Sequence, residues 1–195
     1  CGNALCNFAW NKMFKIDLIS HMEMLYSDRH CAEDMYFNCY YYRLIKKAIF
    51  IHEALYVYYV NFDSLTMSRR EGFWNDMLLV YNAFSETAKI KNLEPCYADN
   101  LYVVLLRNCI LNFYKKPKTS LKEFTHYVDD KLNEISIKSI HPDVNKLQRI
   151  DCLIFKYMFS KSYKKIHWLM IISIILKSKF SLIYSKIRSS TANGN

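Results

Sequence analysis

Apolar and polar positions follow two different patterns along the chain. Large apolar side chains do not alternate between Glu33 and Lys47, and this segment lacks Gly and Pro, so a helix is predicted there. Helical spacing also predicts helices over 72–91, 99–114, 121–137 and 144–159. Residues 48–60 are rich in Ile, Phe, Tyr and Val, which predicts two short strands around a turn. The pattern therefore predicts a mixed α and β region followed by a helical one.

A few residues mark where the predicted helices begin. Glu33 and Asp34 fall in the first turn of one helix, where the positive end of the helix favours carboxylates. Ser120 is a predicted N-cap, with Glu123 three positions later in the spacing of a capping box. A further helix is predicted to begin near Asp17. These boundaries depend on local signals alone.

Composition excludes several classes of protein. Of the 195 residues, 52% are apolar and only three are Gly and three Pro, which excludes an intrinsically disordered or collagen-like chain. The first residue is Cys1 and no signal-peptide pattern follows it, so we expect an internal or C-terminal piece of a longer chain. Seven cysteines with no Cys-x-x-Cys spacing favour buried, reduced thiols in a reducing compartment over a disulfide framework or a metal site.

The positive charge is concentrated at one end. Residues 152–195 contain eight of the 27 basic residues and no acidic residue, whereas residues 1–151 are nearly neutral. Residues 166–176 are almost continuously apolar but too few to cross a bilayer core, which takes about 20 residues. The following residues have the spacing of a basic amphipathic helix.

Three interpretations of this basic tail remain open. It can pack on the rest of the chain, attach to an anionic membrane surface, or bind nucleic acid. No nucleic-acid-binding module accompanies the basic residues, so we expect no nucleic-acid partner. We favour the membrane surface, with Trp168 and Phe180 entering the interface and Lys177 and Lys179 meeting lipid headgroups.

Two short elements could carry chemistry. In the pair Glu33–Asp34, one carboxylate could accept a proton from a substrate hydroxyl, although such pairs also occur simply as partners of the helix dipole. In Trp10-Asn11-Lys12, the indole could stack on a sugar, the amide could bind hydroxyls and the ammonium could meet phosphate. The alternative for this second element is a buried Trp beside a polar turn.

Taken in order, these elements belong to a longer pattern. The runs are 10–15 (WNKMFK), 32–37 (AEDMYF), 47–58 (KAIFIHEALYVY) and 61–66 (NFDSLT). Over residues 5–68 this order resembles the second half of the catalytic domain of family 2 bacterial glycosyltransferases, which have the GT-A fold. Asp34 matches the catalytic base of that family and Glu33 supports the same site. Trp10, Asn11 and Lys12 match the element that lines the acceptor side.

The resemblance implies a nucleotide-sugar donor, a saccharide or lipid-linked acceptor, and transfer with inversion in surface polysaccharide biosynthesis. The nucleotide-binding half of the family would precede Cys1. No Asp-x-Asp motif occurs in this chain, so the Mn²⁺ or Mg²⁺ of the family would be held elsewhere. We therefore expect these residues alone to be inactive. Tyr59 and Val60 also stand where members often carry Arg.

The sequence thus predicts an α/β fold, with part of a GT-A domain over 1–68, a helical region over 69–150 and a basic amphipathic tail over 151–195. The predicted protein is a glycosyltransferase, cytoplasmic and peripheral at the inner face of the cell membrane. The alternative is a non-enzymatic helical adaptor that docks on the membrane.

Overall fold

The part of the chain that can be described is helical. The computed structural model describes residues 8–20, 22, 32–51, 53, 55–57, 69–116, 118–132 and 135–176. The helices are α1 (Ile16–Ile19), α2 (Glu33–Leu44), α3 (Phe73–Ile90), α4 (Cys96–Phe113), α5 (Leu121–Lys131) and α6 (Arg149–Phe159), with 3₁₀ turns at Ile137–Ser139 and Val144–Lys146. Residues 163–176 are also helical and are called α7.

The predicted α/β fold is wrong, because the described residues contain helices and no strand. The described part of the predicted hairpin, residues 48–51, 53 and 55–57, is irregular, and no α/β GT-A domain is evident. Ile49 is 92% exposed and Phe50 is 75% exposed, so these apolar side chains find no covering layer among the described residues. A β-forming composition is not sufficient, because an isolated hairpin is marginally stable without further strands or a helix to pack on.

Helix α4 lies at the centre of the hydrophobic core. Val103, Leu106 and Ile110 on this helix have no exposed surface. Helices α3 and α6 both pack directly against α4. Phe124 of α5 packs its ring on two aromatic residues at the end of α4, and Ile166 of α7 is fully buried in the same core.

Helix α2 is fixed to α3 by hydrogen bonds as well as by packing. Arg43 Nε donates to Thr87 Oγ1 at 3.0 Å, and Arg43 Nη2 donates to the carbonyl of Ala83 at 3.0 Å. The Thr87 hydroxyl lies 3.0 Å from the carbonyl of Cys39, which it can reach as a donor. Through these contacts, the helix that begins with the Glu33–Asp34 pair is held on the helical core.

The local boundary signals are mostly confirmed. Ser120 caps α5, with its hydroxyl accepting from the N–H of Glu123 and the Glu123 carboxylate accepting from the N–H of Ser120. Helix α5 is shorter than predicted, because it ends at Lys131. Helix α6 begins at Arg149 rather than at Val144, since a 3₁₀ turn occupies Val144–Lys146. The predicted domain boundaries stay predictions.

Candidate functional site

The acidic pair lies at the helix start that the sequence indicated. Helix α2 begins at Glu33, and its N-cap, Ala32, has a positive φ of 60° and offers no side-chain cap. Glu33 is exposed and Asp34 is half-buried. The positive end of the helix dipole lies at this first turn and interacts favourably with carboxylates. Within the ranges described, no Lys or Arg side chain forms an ion pair with Asp34.

Asp34 is linked to the element that contains Trp10. The N–H of Ala9 donates a hydrogen bond of 3.1 Å to Asp34 Oδ2, across 25 positions of sequence. The hydrogen bond brings the backbone immediately before Trp10 to the start of α2. The structure therefore places the backbone beside Trp10 in contact with the acidic pair.

Aromatic contacts hold the same segment along α2. The ring of Phe14 packs edge-on against Phe37 at 5.1 Å and against Tyr41 at 4.9 Å between centroids. The N–H of Lys15 donates to the Tyr41 hydroxyl at 2.8 Å. Asp34, Phe37 and Tyr41 are spaced by three and four positions, so they lie on one face of the helix. The 8–15 segment packs against that face.

The three predicted acceptor-binding residues lie together, although not in the same environment. Trp10 is 40% exposed, and its ring stacks on Phe8 at 5.0 Å between centroids. Asn11 and Lys12 are half-buried. Lys12 Nζ donates to the carbonyl of Phe8 and, at 2.7 Å, to Asn11 Oδ1. The ammonium of Lys12 therefore helps to shape this turn, and the partly exposed indole is the surface that a ligand can reach.

Tyr56 is a member of the cluster that sequence reasoning missed. Its ring stacks on Trp10 at 4.5 Å between centroids and with 28° between the planes. In the sequence, Tyr56 falls in the predicted strands and in the 47–58 run of the resemblance, and neither gave it a role in the site. Tyr56 and Tyr58 are two positions apart, which was a signal of an aromatic surface, but nothing local could show that the surface faces Trp10. Stacked aromatic rings beside a carboxylate form a site suited to a sugar, whose apolar ring face and hydroxyls need both kinds of contact.

The described cysteines offer no nucleophile to this cluster. Cys39 and Cys109 are buried free thiols, and Cys96 and Cys152 are half-buried free thiols. Burial raises the pKa of Cys39 to about 12, against the opposing effect of Arg43. A thiol with such a pKa stays protonated and inert near neutral pH. Cys1, Cys6 and Cys31 lie outside the described residues.

The resemblance also implies a divalent cation. Nowhere in the described ranges do three His, Cys, Asp or Glu side chains form a group that could hold a metal ion. The resemblance places the cation on a motif outside this chain, and the cation stays a prediction.

Of the predicted membrane contacts, one can be described. Trp168 lies on α7 and is 54% exposed. Lys177, Lys179 and Phe180 lie outside the described residues. Of the helices that can be described, none combines the length and the apolar character needed to span a bilayer.

Comparison with known proteins returns nothing: no family model, no curated protein and no solved structure matches the chain. The resemblance to family 2 glycosyltransferases therefore depends on the quoted motif residues alone.

Proposed function

We propose that the protein is a glycosyltransferase and that this chain supplies its acceptor side. The substrates would be a nucleotide sugar and a saccharide or lipid-linked acceptor, as in surface polysaccharide synthesis. The observation that carries the proposal is the hydrogen bond from Ala9 to Asp34, because it joins the Trp10 element to the carboxylate. The backbone beside one of the two motifs that the resemblance assigns to one site is thus hydrogen-bonded to the other.

In this proposal Asp34 is the catalytic base. Its Oδ2 accepts from the N–H of Ala9, which fixes the carboxylate and leaves Oδ1 to take the proton of an acceptor hydroxyl. The acceptor oxygen then bonds to the anomeric carbon as the bond from that carbon to the diphosphate oxygen breaks. The diphosphate leaves with the electron pair, and attack from the opposite side inverts the anomeric centre. Glu33, exposed beside Asp34, supports the same site in this proposal.

Trp10, Asn11 and Lys12 orient the acceptor in this proposal. The indole of Trp10, stacked on Tyr56, presents a flat apolar surface for a sugar ring. Asn11 and Lys12 hold the turn that carries the indole. We expect Trp10→Ala to raise KM for the acceptor and to leave KM for the donor unchanged, as measured by initial rates with each substrate varied.

The proposal is tested by sugar transfer with the complete natural protein. Asp34→Asn preserves the size of the side chain and an oxygen that can accept from Ala9, so the fold should be retained. With a panel of nucleotide sugars, membranes as the source of acceptor and Mn²⁺ present, we expect transfer to fall by about 10² to 10⁴. Binding of the donor, measured separately, should not change. The matched control is Asp17→Asn, since Asp17 is an exposed carboxylate on α1.

Three results would contradict the proposed role of Asp34 or the proposed activity. Full transfer by Asp34→Asn would exclude Asp34 as the base. Equal losses in Asp34→Asn and Asp17→Asn would show a general effect of charge. If the wild-type protein transfers sugar from no donor, the proposed enzymatic activity would be contradicted. A second candidate function, described next, would then be favoured.

That second candidate is a non-enzymatic helical adaptor that docks on a membrane surface, and α7 favours it. Trp168, Ile172, Ile175 and Leu176 are each close to half exposed and lie on one side of the helix. Such an apolar face, continued by a basic segment, is suited to the anionic inner face of the cell membrane. A transferase acting on lipid-linked acceptors would use the same surface.

Vesicle sedimentation tests the membrane surface separately from catalysis. We expect the protein to bind vesicles containing phosphatidylserine, and we expect Trp168→Ser with Ile172→Ser to weaken binding strongly. The control is Ile90→Ser, because Ile90 is equally exposed but lies at the end of α3. Unchanged binding in the α7 variant would exclude this face as the contact.

A further inference from the structure

Helices α6 and α7 form a hairpin. Residues 160–162 are the turn between them, and the N–H of Ser162 donates to the carbonyl of Tyr157 at 2.8 Å to close it. Both helices bury apolar side chains in the same core, through Ile154 on α6 and Ile166 on α7. Two helices joined by so short a turn and packed on one core lie side by side, so their outer faces are neighbours.

A contact across the hairpin joins the two outer faces. Lys165 Nζ on α7 lies 5.5 Å from the centroid of the Tyr157 ring on α6, which is a cation–π contact. Lys165 is exposed and Tyr157 is half-buried, so the contact lies at the surface and not in the core. The two faces therefore form one surface, called the hairpin surface, which consists of Leu153, Lys156, Lys164, Lys165, Trp168 and Ile172.

Apolar side chains of the hairpin surface are exposed on both helices. On α7, Lys164, Trp168 and Ile172 are spaced by four positions and lie on one face. Trp168 is 54% exposed and Ile172 is 52% exposed. On α6, Leu153 and Lys156 are three positions apart and both are exposed. A single exposed apolar side chain is ordinary, whereas a group of them on one surface marks a site of interaction.

The charge of the hairpin is positive. Residues 152–176 contain no acidic residue and four exposed lysines, which are Lys156, Lys161, Lys164 and Lys165. None of the four forms an ion pair with another described residue. Burial and, to a smaller extent, the charge of Asp129 on α5 raise the pKa of Tyr163, so a carboxylate does lie near the hairpin. The lysines outweigh it, and the hairpin surface attracts anions.

The mixture of side chains favours an anionic lipid bilayer over other anionic partners. Nucleic-acid phosphates would leave the aliphatic side chains of Leu153 and Ile172 facing water, whereas a bilayer takes them into its interface. Tryptophan is enriched at that depth, because its ring is apolar and its N–H is polar. Lysine stems can lie along the apolar surface while their ammonium groups reach the headgroups.

We propose that the α6–α7 hairpin lies flat on an anionic bilayer. Leu153, Trp168 and Ile172 enter the interface, and Lys156, Lys164 and Lys165 meet the phosphate-bearing headgroups. The proposed contact rests on the membrane surface that the second candidate function assigns to α7. It adds a second helix to that surface, and it gives the headgroup contacts to lysines of the hairpin itself as well as to Lys177 and Lys179.

The test is sedimentation of the full chain with vesicles of phosphatidylcholine and phosphatidylserine. The variant Lys156→Gln with Lys164→Gln and Lys165→Gln removes three exposed charges and keeps long side chains, so the fold should be retained. We expect its partition onto the vesicles to fall by about 10².

The matched control removes the same charge elsewhere. Lys46, Lys47 and Lys89 are exposed at the carboxyl ends of α2 and α3, and their change to Gln should leave partition like that of the wild type. Equal weakening in both triple variants would overturn the hairpin surface in favour of a general effect of net charge.

A variant confined to α6 tests the two-helix contact separately from α7. We expect Leu153→Ser with Lys156→Gln to weaken partition at least about fivefold. If this variant binds like the wild type while Trp168→Ser with Ile172→Ser loses binding, the hairpin contact is wrong and the α7 surface alone stands. If the wild type binds no anionic vesicle, both are wrong. Sugar transfer enters neither measurement.

Two further readouts identify what occupies the surface. Brominated phosphatidylserine should quench the fluorescence of the bound wild type, and Trp168→Phe should lose this quenching. Quenching that persists in Trp168→Phe would contradict the proposed orientation. Binding of a duplex oligonucleotide that needs the three lysines, without binding to vesicles, would overturn the membrane in favour of nucleic acid.

Discussion

An ion pair joins α4 to α6, and removing its two partners should cost different amounts of stability. Arg107 Nη1 lies 3.1 Å from Asp151 Oδ1, and the two side chains are 19% and 2% exposed. Burial raises the pKa of Asp151, although the Arg107 charge and the N–H of Gln148 act in the opposite direction. Keeping the buried Asp151 carboxylate charged therefore costs free energy, and the positive charge of Arg107 offsets part of that cost.

The two substitutions should differ in cost at neutral pH. Arg107→Met leaves the Asp151 carboxylate buried without its partner, so we expect a loss of about 3–5 kcal/mol in the free energy of unfolding. Asp151→Asn removes the buried charge and preserves the shape. Arg107 can then turn its exposed part to water, so we expect a loss of less than about 2 kcal/mol.

The loss of stability in Arg107→Met should also depend on pH. Without Arg107, burial still holds the pKa of Asp151 above its ordinary value of 3.8. The folded state then binds a proton that the unfolded state has released. The stability of Arg107→Met should therefore be greatest at acid pH and fall as the pH rises through the folded-state pKa of Asp151.

Urea unfolding followed by far-UV circular dichroism measures both effects, at about pH 4.5 and about pH 8. The control is Lys116→Met, because Lys116 forms an exposed pair with Glu123 and should cost less than about 1 kcal/mol at the higher pH. Equal losses in Arg107→Met and Asp151→Asn would refute the reasoning. A loss in Arg107→Met that does not grow with pH would refute it too.

Three further predictions concern the core, a cap and a thiol. Phe124→Ala should lower the free energy of unfolding by about 3–5 kcal/mol, because Phe124 has no exposed surface and its ring packs on α4. Ser120→Ala should cost about 1 kcal/mol through loss of the cap. Glu123, whose pKa the Ser120 N–H and the Lys116 ammonium hold at about 2, should contribute stability above pH 4.5 that is lost as the pH falls towards 2. Cys39 should be alkylated far more slowly than half-buried Cys152 when the folded chain is treated with iodoacetamide.

Each of these has a measurement that can contradict it. Urea unfolding of Phe124→Ala with a loss below about 1 kcal/mol would place that ring outside the core. If the Ser120→Ala variant is as stable as the wild type, or unfolds in acid with the same profile, the Ser120 cap does not stabilise α5. Peptide mapping by mass spectrometry that finds Cys39 labelled as fast as Cys152 would contradict its burial.

Helices were predictable where the signal is local. Helical spacing predicted a helix over 72–91, and α3 runs from Phe73 to Ile90. The Ser120 and Glu123 pair marked the start of α5 because a capping box lies within one turn. Strands were not predictable in the same way, because a strand exists only when another segment pairs with it. The Ile-rich and Phe-rich stretch after residue 47 has no such neighbour among the described residues.

The candidate site was likewise predictable only where the signal is local. The place of Glu33 and Asp34 at a helix start follows from their own neighbourhood, and it was predicted. The hydrogen bond from Ala9 to Asp34 and the stacking of Tyr56 on Trp10 join distant parts of the chain, and no local rule indicates them.

The central position of α4 has a consequence for how the protein opens. Ten residues of this helix are buried, and α3 and α6 pack directly against it. Its middle amide hydrogens can therefore exchange with solvent deuterium only when the whole core unfolds, so their protection should match the free energy of global unfolding. The four-residue α1 packs on α2, buries no residue and should exchange through local opening. We therefore expect the α1 amides to exchange while the helical core stays closed.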